Sequence, residues 1–305
     1  MRIVFMGTPA IAAACLTSLI EDGQTIAGVY TKPDMPKNRG MKLVVSEVKA
    51  VAQRADLPIR QPDTLRDGGE LAALRALRPD LIAVVAYGKL LPQEVLDIPP
   101  LGCVNIHASL LPALRGAAPI QRAVLDGLPE TGVTAMYMAE ELDAGDMIAV
   151  KKTPIGPLET AGQLTGRLTG LAAELLVEKV RSIEAGKAAR TPQDPAQATY
   201  AAMLTKAMSP VDWTGSVKQV VDQVRGLHPW PVATAELGGR KFKLHRVVPT
   251  EKKTGKAPGT LLALTKDGLE VACGDGGVAC VTELQAEGGK RMKTPDYFRG
   301  HPIKL

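Results

Sequence analysis

The chain has 305 residues, 45% hydrophobic and 23% charged, the balance of a globular protein rather than a disordered or fibrous one. No apolar run approaches the roughly 18 to 20 residues that cross a bilayer, so no membrane partner is expected. The opening Met1-Arg2-Ile3-Val4-Phe5, followed at once by Gly7-Thr8-Pro9, reads as a strand and turn, not a signal peptide. Cys15, Cys103, Cys273 and Cys280 lack the Cys-x-x-Cys spacing of zinc and redox sites, so reduced thiols, no metal and a cytoplasmic protein are expected. The net charge of +5 is uneven: residues 205–305 carry 16 Lys/Arg against 10 Asp/Glu, and the rest carries 21 against 22. Such an excess suits a polyanionic partner, because neutralising phosphates releases counterions, and is equally compatible with a solvated basic surface. Aromatic residues at 3% argue against stacked single-stranded bases as the main binding mode.

Through about residue 155, short β-branched runs alternate with amphipathic stretches, the pattern of a mostly parallel sheet covered by helices. Strands are expected at 2–6, 25–30, 58–60, 81–86, 103–107 and 132–138. Pro9 opens a first helix that ends before Asp22-Gly23, and helical periodicity returns at 161–185. Pro192 and Pro195 then interrupt a polar, Ala-rich stretch that reads as a linker. After one helix at 216–225, β-like runs at 232–236, 241–248, 259–263, 268–272 and 278–283 alternate with glycine turns. This end reads as a small open β-barrel of the oligonucleotide-binding type. The expected division is a catalytic domain at 1–188, a linker at 189–208 and a β-barrel domain at 209–305, an α/β protein overall.

Gly7-Thr8-Pro9 lacks both the G-x-G-x-x-G fingerprint and the G-K-[ST] of a P-loop, so it reads as a tight strand-to-helix turn. The informative segment is Asn105-Ile106-His107-Ala108-Ser109-Leu110-Leu111-Pro112, followed by Arg115-Gly116-Ala117-Ala118-Pro119-Ile120. Period-2 geometry points Asn105 and His107 to one face at a strand end, where open α/β sheets place ligands. An amide that donates to an oxygen gaining charge, beside an imidazole that takes a proton, suits acyl transfer. Standing alone, Asn-x-His at a strand end is more often a hydrogen-bonded structural pair. The acidic loop Glu140-Glu141-Leu142-Asp143-Ala144-Gly145-Asp146 adds a carboxylate able to orient the imidazole. With no G-x-S-x-G and no H-E-x-x-H, the chemistry reads as direct attack without a covalent enzyme or a metal.

These segments, with Val4-Phe5-Met6-Gly7-Thr8-Pro9, Tyr30-Thr31-Lys32-Pro33-Asp34 and Val85-Ala86-Tyr87-Gly88, run in an order that resembles the folate-dependent formyltransferases over essentially the whole chain. Ala108 stands where many members have glycine, a difference of one methyl group. The resemblance implies a Rossmann-like formyltransferase domain followed by a small open β-barrel (OB-like) C-terminal domain. It implies 10-formyltetrahydrofolate as donor, released as tetrahydrofolate, and the α-amine of initiator methionyl-tRNA as acceptor. Asn105, His107 and Asp143 match the family's catalytic trio. Ser109, Leu110, Leu111 and Pro112 match its folate loop, with Tyr87 and Gly88 walling the same pocket. The basic stretch at 32–45 resembles a loop that meets the tRNA acceptor end, which singles out Arg39 and Lys42. Lys206, Lys241 and Lys243, with Arg246, Lys290, Arg291 and Lys293, would meet phosphates. His228-Pro229-Trp230-Pro231 matches a family motif expected to be a packed junction, and Trp213 and Trp230 are expected in the core. A monomer is expected from the resemblance. The rival acceptor is an amino-sugar nucleotide, against which the basic C-terminal end argues.

Overall fold

The structure is a computed structural model that describes every residue except 38–41, and every side chain except those of 36–43. The chain divides into two compact units. The first comprises Met1–Gly116, Gly132–Thr153 and Thr165–Tyr200; the second comprises Ala117–Thr131, Pro154–Leu164 and Ala201–Leu305. The second unit therefore draws on two segments that precede the 189–208 stretch.

The chain opens with β1 (Arg2–Gly7), α1 (Ala10–Glu21), β2 (Thr25–Tyr30), the short pair β3 (Met35–Lys37) and β4 (Lys42–Val44), α2 (Glu47–Arg54) and β5 (Ile59–Arg60). It continues through α3 (Gly68–Ala76), β6 (Leu81–Val85), α4 (Gln93–Leu96), β7 (Cys103–His107), β8 (Arg115–Gly116), α5 (Pro119–Leu125), β9 (Glu130–Tyr137), β10 (Met147–Pro154) and α6 (Ala161–Glu184). The main sheet has the order β10-β9-β7-β6-β1-β2-β5. β1 pairs in parallel with β2 and β6, β6 with β7, and β2 with β5, while β9 runs antiparallel to β7. β6 is buried at every position, and β1 at all but its first, as expected of strands covered on both faces. Polar caps start two of the covering helices: Ser46 accepts from Lys49 N at 3.0 Å, and Asp67 from Gly69 N at 2.8 Å. β10 had no counterpart in the sequence reading; it is the sheet's edge and carries Lys151 and Lys152, so its apolar signal is diluted by solvated positions.

The 189–208 stretch, expected as a linker, carries buried residues and regular structure. Gln193 is buried, Tyr200–Ala201 form β11, and Leu204 packs into the core of the second unit. That unit continues with α7 (Val217–Gly226), β12 (Ala233–Leu237), β13 (Arg240–Lys253), β14 (Leu261–Leu264), β15 (Leu269–Ala272), β16 (Gly277–Ala286), β17 (Arg291–Lys293) and α8 (Thr294–Gly300). Its strands pair antiparallel in the order β12-β13-β16-β15-β14, with β17 on β16. α7 starts on a capping box between Ser216 and Gln219, and its valines 217, 220, 221 and 224 join the core of Phe242, Leu244 and Val247. Phe242 meets Tyr297 and Phe298 edge to face at 5.2 and 5.8 Å. Trp213 packs partly against this core, but Trp230 is 52% exposed, against the expectation of a core residue. It lies between Pro229 and Pro231 in the turn from α7 to β12, where no regular element covers it. No described helix is long and apolar enough to cross a membrane.

Candidate active site

Asn105 and His107 end β7, and the pleat points both to one face. Strand order turns back between β1 and β6, since β2 lies on one side of β1 and β6 on the other. The carboxyl ends of β1, β6 and β7 thus open on the crevice where α/β sheets receive ligands. Thr8 Oγ1 donates to the Tyr87 carbonyl at 3.1 Å and ties the turn after β1 to the turn after β6. Gly7 permits that junction, because a Cβ there would stand 2.6 Å from the Ala12 Cβ and 2.9 Å from the Val85 carbonyl.

His107 is 6% exposed. Its Nε2 lies 2.9 Å from the Leu114 carbonyl oxygen; a carbonyl only accepts, so the neutral ring carries its proton on Nε2 and its lone pair on Nδ1. Nδ1 faces Asp143 Oδ2 at 3.6 Å, beyond a hydrogen bond yet close enough for the carboxylate to stabilise a positive charge arriving on the ring. Leu114 holds φ at +60°, and its N–H donates to Thr199 Oγ1 at 2.9 Å.

Asp143 sits on a loop with φ at +51°, a conformation uncommon outside glycine. Three contacts fix it. Gly116 N donates to Asp143 Oδ2 at 2.8 Å, and Gln193 Nε2 donates to the carbonyls of Asp143 and Gly145, each at 2.8 Å. Gln193 Oε1 in turn accepts from Arg115 Nε at 3.2 Å and Nη2 at 2.9 Å. Arg115 is 2% exposed, so this guanidinium is committed to holding the loop. A Cβ on Gly145 would overlap the Tyr137 carbonyl, so glycine is needed for the loop to close against β9. The sequence reading assigned no role to Gln193 or Arg115; Gln193 lies in a polar stretch whose pattern carries no sign of burial.

The Asn105 amide has no hydrogen-bond partner among the described residues, although the residue is buried. Its polar atoms are not sealed off, so it stands free to receive a ligand oxygen. The next segment is held from within. Ser109 is fully buried and its Oγ donates to the Ala113 carbonyl at 2.6 Å. Thr134 Oγ1 donates to the Ser109 carbonyl at 2.7 Å and accepts from Leu111 N at 3.2 Å. Ala108 is not among the residues with positive φ, so its extra methyl group meets no backbone obstacle.

Tyr87 packs in the core with Val4, Met6 and Tyr30; its buried hydroxyl has no partner, and burial pushes the phenol up to about 12. The exposed members of that turn are Ala86 and Gly88, both at positive φ. Lys32 Nζ lies where a Cβ on Gly88 would be, and this ammonium has no hydrogen-bond partner among the described residues. Burial also pushes the thiols of Cys15 and Cys103 up to about 12, so neither is a nucleophile at neutral pH.

The structure thus brings Asn105, His107, Asp143 and the 109–112 segment together in the first unit. Arg39 and the side chain of Lys42 lie outside the described residues. Lys206, Lys241 and Lys243 are exposed and belong to the second unit, with Lys241 and Lys243 at alternate outward positions of β13.

The family model described as formyl transferase matches residues 1–180, and that of the formyl transferase C-terminal domain matches 203–302. The methionyl-tRNA formyltransferase of Geobacter sulfurreducens is 47% identical over 304 residues, covering 100% of this chain and 95% of that protein. The protein of the same name from Bacillus subtilis is 44% identical over 303 residues, covering 99% and 96%. Among solved structures, HypX from Aquifex aeolicus in complex with tetrahydrofolic acid aligns with a TM-score of 0.66 at 21% identity, over 98% of this chain and 47% of that one. The N-formyltransferase from Helicobacter canadensis, in complex with folinic acid and dTDP-3-aminofucose, aligns with a TM-score of 0.69 at 15% identity, over 92% and 98%. At these identities the two structures speak to the fold.

Proposed function

This chain belongs to the formyl transferase family, and from that premise we propose that it moves the formyl group of 10-formyltetrahydrofolate to the α-amino group of initiator methionyl-tRNA. The observation that carries the acceptor is the full-length identity of 47% and 44% to proteins named methionyl-tRNA formyltransferase. The basic second unit supports it, as a surface for phosphates.

The unpartnered Asn105 amide, His107 and Asp143 on one face support the donor and the chemistry. The donor supplies an N-formyl carbon. Asn105 donates a hydrogen bond to the formyl oxygen as that oxygen gains charge. His107 Nδ1, whose lone pair is fixed by the Leu114 carbonyl, takes the proton that the attacking amine loses and returns it to the departing nitrogen. Asp143 balances the charge on His107 between those two events. One C–N bond forms, one breaks, and the proton is conserved. The 109–112 segment and the exposed backbone of Ala86 and Gly88 would hold the folate. Arg39 and Lys42 would meet the tRNA acceptor end, and Lys206, Lys241 and Lys243 its backbone.

The monomer rests on the family resemblance alone. Four buried free thiols suit the reducing cytoplasm. The test offers 10-formyltetrahydrofolate with methionyl-initiator tRNA, uncharged tRNA and an amino-sugar nucleotide in parallel at one salt concentration. Formylation of the charged tRNA alone is expected; formylation of the sugar alone would overturn the acceptor.

A further inference from the structure

The second unit contains a cavity of about 250 Å³ that touches none of the catalytic or folate groups above. α7, the turn after it, β13 and β17 contribute Arg225, His228, His245, Arg246 and Arg291 to its wall. Three guanidinium groups and two imidazoles thus line one enclosure, and no carboxylate lines it.

The cations are arranged from behind. Asp222 Oδ1 accepts from Arg225 Nε at 2.7 Å, and the carbonyls of Gly156 and Glu159 accept from Arg225 Nη1 at 3.2 and 3.1 Å. Glu283 Oε2 accepts from Arg291 Nε at 2.6 Å. Both guanidiniums are therefore fixed in direction before anything enters. Arg246 is exposed and its side chain has no partner among the described residues.

Each histidine keeps one buried ring nitrogen without a partner. Arg291 Nη1 points at His228 Nε2 from 3.4 Å, which leaves the ring proton on Nδ1, and that atom is buried without a partner. His245 Nε2 meets Gln285 Oε1 at 3.1 Å, and its Nδ1 is likewise buried and unpartnered. The two rings meet edge to face at 5.7 Å. Burial holds both imidazoles below their ordinary value. Arg291 adds to this at both rings, His245 at His228, and Lys243 at His245; the Gln285 contact to His245 and the Glu283 carboxylate act in the opposite sense. An anion in the cavity would reverse that balance and draw protons onto the rings.

We infer that this cavity is a binding site for a phosphate group, held by the guanidiniums of Arg246 and Arg291 with His228 and His245 taking up protons as it binds. The phosphate belongs either to the backbone of an RNA or to a free phosphorylated ligand. The RNA source rests on the tRNA reading above; the phosphate site itself does not.

The experiment uses the full chain. The ring signals of its four histidines are followed by NMR between about pH 5 and 8, with and without inorganic phosphate. Phosphate is expected to raise the midpoints of His228 and His245 by about 1 pH unit while those of His107 and His301 stay in place. Arg246→Gln, at an exposed position that leaves the core intact, is expected to weaken phosphate binding about tenfold. Unmoved His228 and His245, four histidines that move alike, or full phosphate affinity in both Arg246→Gln and Arg291→Gln would overturn the site. A raised KM for methionyl-initiator tRNA in Arg246→Gln identifies the phosphate as RNA. An unchanged KM alongside weakened phosphate binding identifies a free ligand and keeps the site. Failure of the wild-type chain to formylate any tRNA would break the functional reading and leave the phosphate titration standing.

Discussion

Asn105 and His107 stand at the end of a strand buried along its whole length, whereas Asp143 stands on a loop at φ +51° that is held by residues 27 and 50 positions away. The strand pair is placed by the packing of the sheet, which many apolar contacts determine together. The loop is placed by a few polar contacts, Gly116 N–H and the Gln193 amide, and each can be removed singly. One half of the site is therefore robust in position and the other adjustable, and substitutions separate the two.

The largest effect is expected at the strand end. His107→Ala removes the proton acceptor and should lower kcat about 10² to 10⁴-fold, with tRNA affinity by filter binding unchanged; near wild-type turnover would refute the assignment. Asp143→Asn keeps an acceptor for Gly116 N–H but loses the charge, and about a 10²-fold fall in kcat is expected in single-turnover assays. Gln193→Ala tests the loop alone. It should cost about 10-fold in kcat with little change in KM, and Gln193→Glu should not rescue it, because a carboxylate would face two carbonyl oxygens. Equal losses in kcat and melting temperature across all Gln193 variants would make the residue merely structural.

Thr134→Val leaves the Ser109 carbonyl and Leu111 N–H without their partner and should destabilise the fold by about 1 to 3 kcal/mol, read from urea midpoints. The smallest effect lies in the second unit. His228 and His245 have folded-state values below those of the unfolded chain, so the unfolded state binds more protons in the interval between. Stability then rises with pH through that interval and is lost as pH falls below about 6.5. His245→Gln should flatten that slope in pH-dependent melting, and an unaltered slope would exclude this histidine as its source.

The strand end was legible because its information is local. Asn105-x-His107 closes an apolar run, and period 2 alone puts both side chains on one face. The same logic found β1, β2 and β6 almost to the residue, because doubly covered strands are continuous apolar runs. It missed β10, whose lysines face solvent at the sheet edge, and it read Gln193 as part of a polar linker. It also placed Trp230 in the core, although a turn between two prolines offers nothing to cover it.

By itself the sequence determined the order of elements, the α/β unit with its basic β-rich end, and the residues that carry the chemistry, because hydrophobic period, turn residues and motif spacing are all short-range signals. Only the tertiary structure decided which groups meet. It set the Leu114 carbonyl on His107 Nε2, joined Arg115 to Gln193 and Gln193 to the Asp143 loop, and gathered Arg225, Arg246 and Arg291 around two histidines. Such contacts join residues far apart in the chain through directional polar bonds, and directional bonds leave no periodic mark on the sequence that makes them.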